Sequence, residues 1–171
     1  MIHINKILGN IHSDSYLQEK YQDMKKKDKV EKIELNRLEA DRIRIRKVSD
    51  KGTDLALTLN PGSHIHDGDV ILVAEETMVI AKRESENVAI ISLNNDISAE
   101  QILDMAIKLG HIIGNMHRPI RVINNKVYFP IQSDSEIELF KRLFYNLGQD
   151  IDIKTENIVF EPDLGYDIHG H

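Results

Sequence analysis

The sequence predicts an α+β chain, with a small antiparallel β domain followed by a domain of βαββαβ order. Three observations carry that prediction. Apolar residues alternate with polar ones through much of the first half, as at Ile43, Ile45 and Leu55, Leu57, Leu59. They recur at helical spacing in two later stretches, Ile102 to Ile113 and Ile137 to Leu147. Short apolar runs bounded by turn residues flank both of those stretches.

In chain order, Met1 to Ile11 reads as a short strand closed by Gly9-Asn10. Ser13 to Lys32 is polar, and its run Lys25-Lys26-Lys27-Asp28-Lys29 reads as a solvated loop or frayed helix face. From Glu34 the period becomes two. Arg42 to Val48 and Asp54 to Leu59 are half-buried antiparallel strands turned at Lys51-Gly52. Asn60-Pro61-Gly62 and Asp67-Gly68 are turns, and Val70–Ala74 pairs with Met78–Ala81 as a hairpin. Arg83 to Asn87 is the candidate linker.

The second half begins with an apolar strand, Val88 to Leu93. Ser98 and Gln101 form a capping box that opens a helix with the stripe Ile102, Met105, Ala106, Leu109, Ile113. Arg118–Ile123 and Lys126–Ile131 form a hairpin about Asn124-Asn125. Ser133 and Glu136 make a second capping box, before the stripe Ile137, Phe140, Leu143, Phe144, Leu147 with Gly148 beyond it. Ile151 to Phe160 is the last strand. This βαββαβ order is the ferredoxin-like plan. The expected domains are residues 1–83, 88–161 and a His-bearing flexible tail, 162–171.

Composition narrows the chemistry. The chain has 171 residues, 41% hydrophobic and only 5% aromatic, so its core is built from Ile, Leu and Val. A net charge of −6 argues against nucleic acid as a partner. There is no Cys, which excludes disulfides, thiolate metal sites and cysteine catalysis. No stretch approaches a membrane span and the opening residues lack a signal-peptide pattern, so a cytoplasmic location is expected. Neither a His-Glu-x-x-His run nor a phosphate-binding Gly-Lys-Ser/Thr loop is present, and a catalytic role is not expected.

Eight histidines are the soft ligands left. Neutral imidazole suits nickel, copper and zinc. His117 stands where the first helix of the second half gives way, in Gly114-Asn115-Met116-His117-Arg118-Pro119-Ile120. His169 and His171 form His-x-His, and residues two apart in an extended chain face the same way. His64 and His66 repeat that pattern beside Asp67. His111 lies on the side of its helix away from the apolar stripe. His3 and His12 are isolated and read as surface residues.

The stretch Gly-Asn-x-His-x-Pro-Ile after an apolar helix resembles the signature of the UreE urease accessory proteins, the nickel metallochaperones of urease maturation. Asp167-Ile168-His169-Gly170-His171 is similar to the short His-bearing tail of that family. Arg44-Ile45-Arg46-Lys47-Val48, Gly52-Thr53-Asp54, Asn60-Pro61-Gly62 and Asp67-Gly68-Asp69-Val70 add a third match, and together they run from about Arg42 to His171.

The resemblance implies a β-rich domain for partner or peptide docking, followed by a ferredoxin-like metal-binding domain. It implies a homodimer in which His117 faces its own copy across a two-fold axis, so that one His per chain becomes a two-His site. It assigns metal-ligand roles to His117, His169 and His171, with His111 as a secondary candidate. The implied ion is Ni²⁺, with Zn²⁺ and Cu²⁺ as alternatives. The implied partners are urease apoprotein and the other accessory proteins, including the maturation GTPase. A second His pair that some members carry on the strand after the motif is replaced here by Val127-Tyr128-Phe129-Pro130-Ile131. The alternative is a non-catalytic ligand-sensing or protein-interaction module, since a ferredoxin-like domain hosts many functions.

Overall fold

The computed structural model describes residues 1–93, 98–145 and 151–163, and of Asp134 the backbone alone. It contains helices and sheets in both halves, an α+β protein as expected. The chain divides into two compact units, Met1–Glu84 and a second beginning at Ser85.

The first unit has the order β1 (Ile2–Ile4), α1 (Ser15–Lys26), β2 (Val30–Leu35), α2 (Arg37–Ala40), β3 (Arg44–Val48), β4 (Asp54–Thr58), β5 (Val70–Val73), β6 (Met78–Arg83). Its strands form two sheets, ordered β1-β4-β3 and β2-β6-β5. Ile4, Leu55, Leu57 and Leu59 from the first sheet side meet Ile33, Leu35, Ile71, Val79 and Ala81 from the second in one core. On the opposite side of the second sheet, Val30, Val70, Met78 and Ile80 pack with Leu17 and Met24 of α1. Strand β6 is therefore buried on both faces, which is why its Met78-Val79-Ile80-Ala81 does not alternate.

Several expectations for this unit are corrected. The polar stretch 13–32 is neither a loop nor a frayed face: it holds α1 and the start of β2. Asp14 caps α1 by accepting from the Leu17 N–H at 3.1 Å, and Leu17, Tyr21 and Met24 supply an apolar stripe that the surrounding lysines conceal in sequence. The unit is not wholly antiparallel, because β1 runs parallel to β4 and β2 parallel to β6. Parallel neighbours need long crossovers, and the chain between β2 and β6 carries α2 and three strands. The expected linker at Arg83–Asn87 is shorter: Arg83 is buried at the end of β6, where its guanidinium donates to the Ile65 carbonyl at 3.1 Å, and β7 begins at Glu86.

The second unit runs β7 (Glu86–Leu93), α3 (Ala99–Asn115), β8 (Arg121–Ile123), β9 (Lys126–Pro130), α4 (Asp134–Tyr145), β10 (Ile151–Ile158). Its strand order is β10-β7-β9-β8, and every neighbouring pair is antiparallel. Both helices bury part of their stripes against β7 and β9: Leu109, Ile113, Ile137, Phe140 and Phe144 pack with Ala89, Ile91 and Phe129, whereas Ile102, Ala106 and Leu143 of the expected stripes are exposed. The rings of Phe129 and Phe140 meet edge to face at 4.7 Å. Asn124 and Asn125 both take positive φ, 50° and 60°, which is the type I′ geometry of a two-residue hairpin turn.

Strand β8 starts at Arg121 rather than Arg118, since residues 116 to 120 are used to leave the helix. The Ser98–Gln101 capping box forms in both directions. Glu136, expected to close a similar box on Ser133, accepts instead from the Gln132 N–H at 2.7 Å and from Arg118. Leu147 and Gly148 lie outside the described residues.

Candidate metal centre

The end of α3 sets the geometry at His117. The helix closes at Met116, and His117 follows with φ 51°, in the left-handed region. Its N–H donates to the Gly114 carbonyl at 2.9 Å, and the Arg118 N–H reaches the Ile113 carbonyl at 3.4 Å. Those two bonds are the Schellman pattern, in which the left-handed position is most often glycine. A side chain with a Cβ is held there at a cost of about 1–2 kcal/mol. Such local strain is characteristic of functional positions. The cap turns His117 outward, and its side chain is exposed.

His111 is also exposed, six residues earlier on α3. The Asn115 side-chain amide lies 3.0 Å from its Nε2. An amide nitrogen only donates, so this contact engages the lone pair that a metal would need. Asn115 of the Gly-Asn-x-His motif is thus a partner of His111.

Beyond His117 the chain is pinned. The Arg118 guanidinium reaches Glu136 Oε1 at 2.5 Å, both side chains being largely buried at 15% and 18% exposure. This pair joins the exit of α3 to the first turn of α4. A second tie lies at the far end of the domain: the Asp163 N–H donates to the Ile120 carbonyl at 3.0 Å, and its carboxylate accepts from the Val122 N–H at 2.9 Å. Asp163, the last described residue, is therefore fastened to Ile120 and Val122, three and five positions after His117 in sequence. His169 and His171 lie outside the described residues.

The histidines of the first unit are arranged differently. His64 Nδ1 is 3.2 Å from Asp41, His66 Nδ1 is 3.7 Å from Asp69, and His12 Nε2 is 3.6 Å from Asp67. Asp69 is itself buried and accepts from the Asn10 amide and the His66 N–H. Ile65, between His64 and His66, is fully buried in the core. His12 lies over Gly68, whose φ of 82° and lack of a side chain let the ring approach. Each of these rings sits against its own aspartate. Among the described residues of one chain, no group of three or more His, Asp or Glu side chains converges to hold a metal ion.

One further surface belongs to α3. Leu103 and Ile107 are 62% and 63% exposed, and Gly110 and Gly114 open onto empty space. At spacings of four, three and four they share one face of the helix, the face turned away from Met105, Leu109 and Ile113. That stripe runs toward His117. The sequence pattern marks neither Arg118 nor Asp163, and it marks Glu136 only as a capping-box partner of Ser133, because their contacts join elements far apart in the chain. No helix among the described residues is long and apolar enough to cross a membrane.

Comparison with known proteins gives one consistent result. Residues 4–82 match the family model for the N-terminal domain of the UreE urease accessory protein. The chain is 33% identical over 135 residues to urease accessory proteins UreE of Yersinia enterocolitica, Yersinia aldovae and Yersinia pestis. The similarity covers 77% of this chain and 57% of each relative, so the chain matches little more than half of those proteins' length. A match of this extent continues past the first unit into the second, where the His117 motif lies, and the chain belongs to the UreE family of urease accessory proteins.

Proposed function

We propose that the chain is a cytoplasmic, non-catalytic nickel metallochaperone that works as a homodimer and delivers Ni²⁺ for assembly of the urease active site. The observation that carries this reading is His117, exposed on a strained cap at the end of a helix whose outer face is apolar. A second copy laid along Leu103, Ile107, Gly110 and Gly114 would bury that face and set the two-fold axis near the helix end. Small residues let two helices approach closely, and residues near a two-fold axis meet their own copies. The two His117 rings then share one ion, and neither chain needs a complete ligand set of its own.

The tail supplies further ligands. Asp163 is tied to Ile120 and Val122, and His169 follows six residues later. Six residues reach up to about 20 Å when extended, against about 10 Å for the three residues from Ile120 back to His117. His169 and His171 can therefore reach the His117 region and depart one at a time. Imidazole ligands bind nickel well, yet competing ligands displace them, and protons compete for the same nitrogens. Release to urease apoprotein or to the maturation GTPase draws on that lability. The βαββαβ unit is the ferredoxin-like metal-binding domain, and the first unit is the partner-docking domain.

The test is nickel-limited activation of urease apoprotein with its accessory proteins present. The chain preloaded with Ni²⁺ should raise urease activity, and His117→Gly loaded under the same conditions should not. Equal activation by both proteins would remove the delivery role from His117.

A further inference from the structure

We propose that Arg118 and Glu136 form a positioning pair for His117, setting the nickel affinity of the cap without touching the ion. The proposal rests on the metal-binding reading above. The end of α3 poses a mechanical problem. His117 holds a left-handed conformation that disfavours a side chain, and the second bond of its cap, from the Arg118 N–H to the Ile113 carbonyl, is long at 3.4 Å. Left to the backbone alone, such a cap relaxes readily. The next residue supplies a side-chain anchor. The Arg118 guanidinium meets Glu136 Oε1 at 2.5 Å, and Glu136 Oε2 accepts from the Gln132 N–H at 2.7 Å.

One carboxylate thus fastens the residue after His117 to the turn that opens α4. That turn is fixed in its own right, because the Glu136 N–H donates to the Ser133 carbonyl at 3.0 Å and the following Ile137 and Phe140 enter the core. Limited exposure of both charges strengthens their bond and screens it less from salt. The arrangement places a rigid strut one residue from the ligand. Partners that orient a metal ligand without binding the metal typically change affinity by about 10- to 100-fold when lost.

The experiment uses the full chain as a dimer and Ni²⁺ as the probe. Glu136→Gln keeps the size and the acceptor for Gln132 while removing the charge. Arg118→Met removes the guanidinium and keeps an apolar stem, and Arg118→Lys restores a cation. Two quantities are read for each: the Ni²⁺ dissociation constant, and the exchange rate of the His117 and Arg118 amide protons in the metal-free protein. Glu136→Gln and Arg118→Met should weaken Ni²⁺ binding by about 10-fold or more, with faster exchange of both amides, and Arg118→Lys should recover most of the affinity.

Unchanged exchange at the cap would overturn the strut, and faster exchange with unchanged affinity would overturn its role in binding. Equal weakening in Arg118→Met and Arg118→Lys would assign the effect to shape and overturn the ion pair. Tight binding that survives His117→Gly would sink the metal reading itself, and the positioning role with it.

Discussion

The histidines of the two units make an instructive contrast. In the first unit, His12, His64 and His66 each rest against a separate aspartate, on turns whose backbones are tied into the fold. In the second, His117 is carried out of the structure on a left-handed cap, with its neighbour clamped to another helix. The His-x-His of residues 64–66 is the better chelate on paper. Its two rings serve different carboxylates, and the residue between them is core. Spacing alone does not make a ligand set: the backbone must also present both rings to one ion.

The largest effect expected from breaking this contrast comes from the core that carries α3 and α4. Phe140→Ala removes a ring buried between Phe129 and Phe144 and should destabilise the second unit by about 3–5 kcal/mol. Urea unfolding followed by residue-resolved NMR should show that loss in the second unit and much less in Met1–Glu84. Equal loss in both would mean that the units do not unfold separately.

A sharper test compares two substitutions at one residue. His117→Gly should be about 1 kcal/mol more stable than His117→Ala, because glycine accepts the left-handed cap and alanine does not. Both should lose tight Ni²⁺ binding. Chemical denaturation of the two variants side by side decides this, and equal stabilities would deny the strain. Replacing His64 and His66 together by Ala should leave Ni²⁺ affinity within about 2-fold, the opposite pattern to His117, since the first unit's rings have other work. A calorimetric titration in which that double variant lost the tight site would reverse the contrast.

The smallest effect expected on stability is electrostatic. The hydrogen bond from Lys47 holds the Glu39 carboxyl below its usual value of 4.5, against the opposing pull of burial, with the Asn36 N–H assisting. A lowered carboxyl favours the folded state above that usual value, and the contribution is lost as pH falls through the folded value. Glu39→Gln should therefore cost up to about 1 kcal/mol at neutral pH, and the difference should close in acid, as pH falls below the usual carboxyl value and through the lowered folded one. Stability measured by denaturant across that range checks the sign.

Much of the fold was legible because local signals agreed with tertiary ones. Ser98 and Gln101 cap α3 in the reciprocal form that their spacing implies. Met105, Leu109 and Ile113 are buried as their periodicity requires, while Ile102 at the edge of the same stripe is partly exposed. Helix α1 was hidden because lysines surround its three apolar positions, and burial of Leu17 and Met24 against β6 overrides a weak helical pattern. The parallel pairings of β1 and β2 were hidden because register with a distant strand leaves no local trace. At the candidate site, the exit of α3 could be read from Gly114-Asn115 and Pro119. The conformation of His117, the Asn115 contact to His111 and the Arg118–Glu136 pair could not, since each depends on where the next element packs.

The central claim is a metal site shared between two copies through His117. The most direct measurement is a calorimetric Ni²⁺ titration of the full chain and of His117→Gly, with the mass in solution recorded at each point. The account predicts a dimer that binds tightly near one ion per two chains, and a folded variant in which that binding is gone. Tight binding at one ion per chain, or binding that persists in His117→Gly, would contradict it.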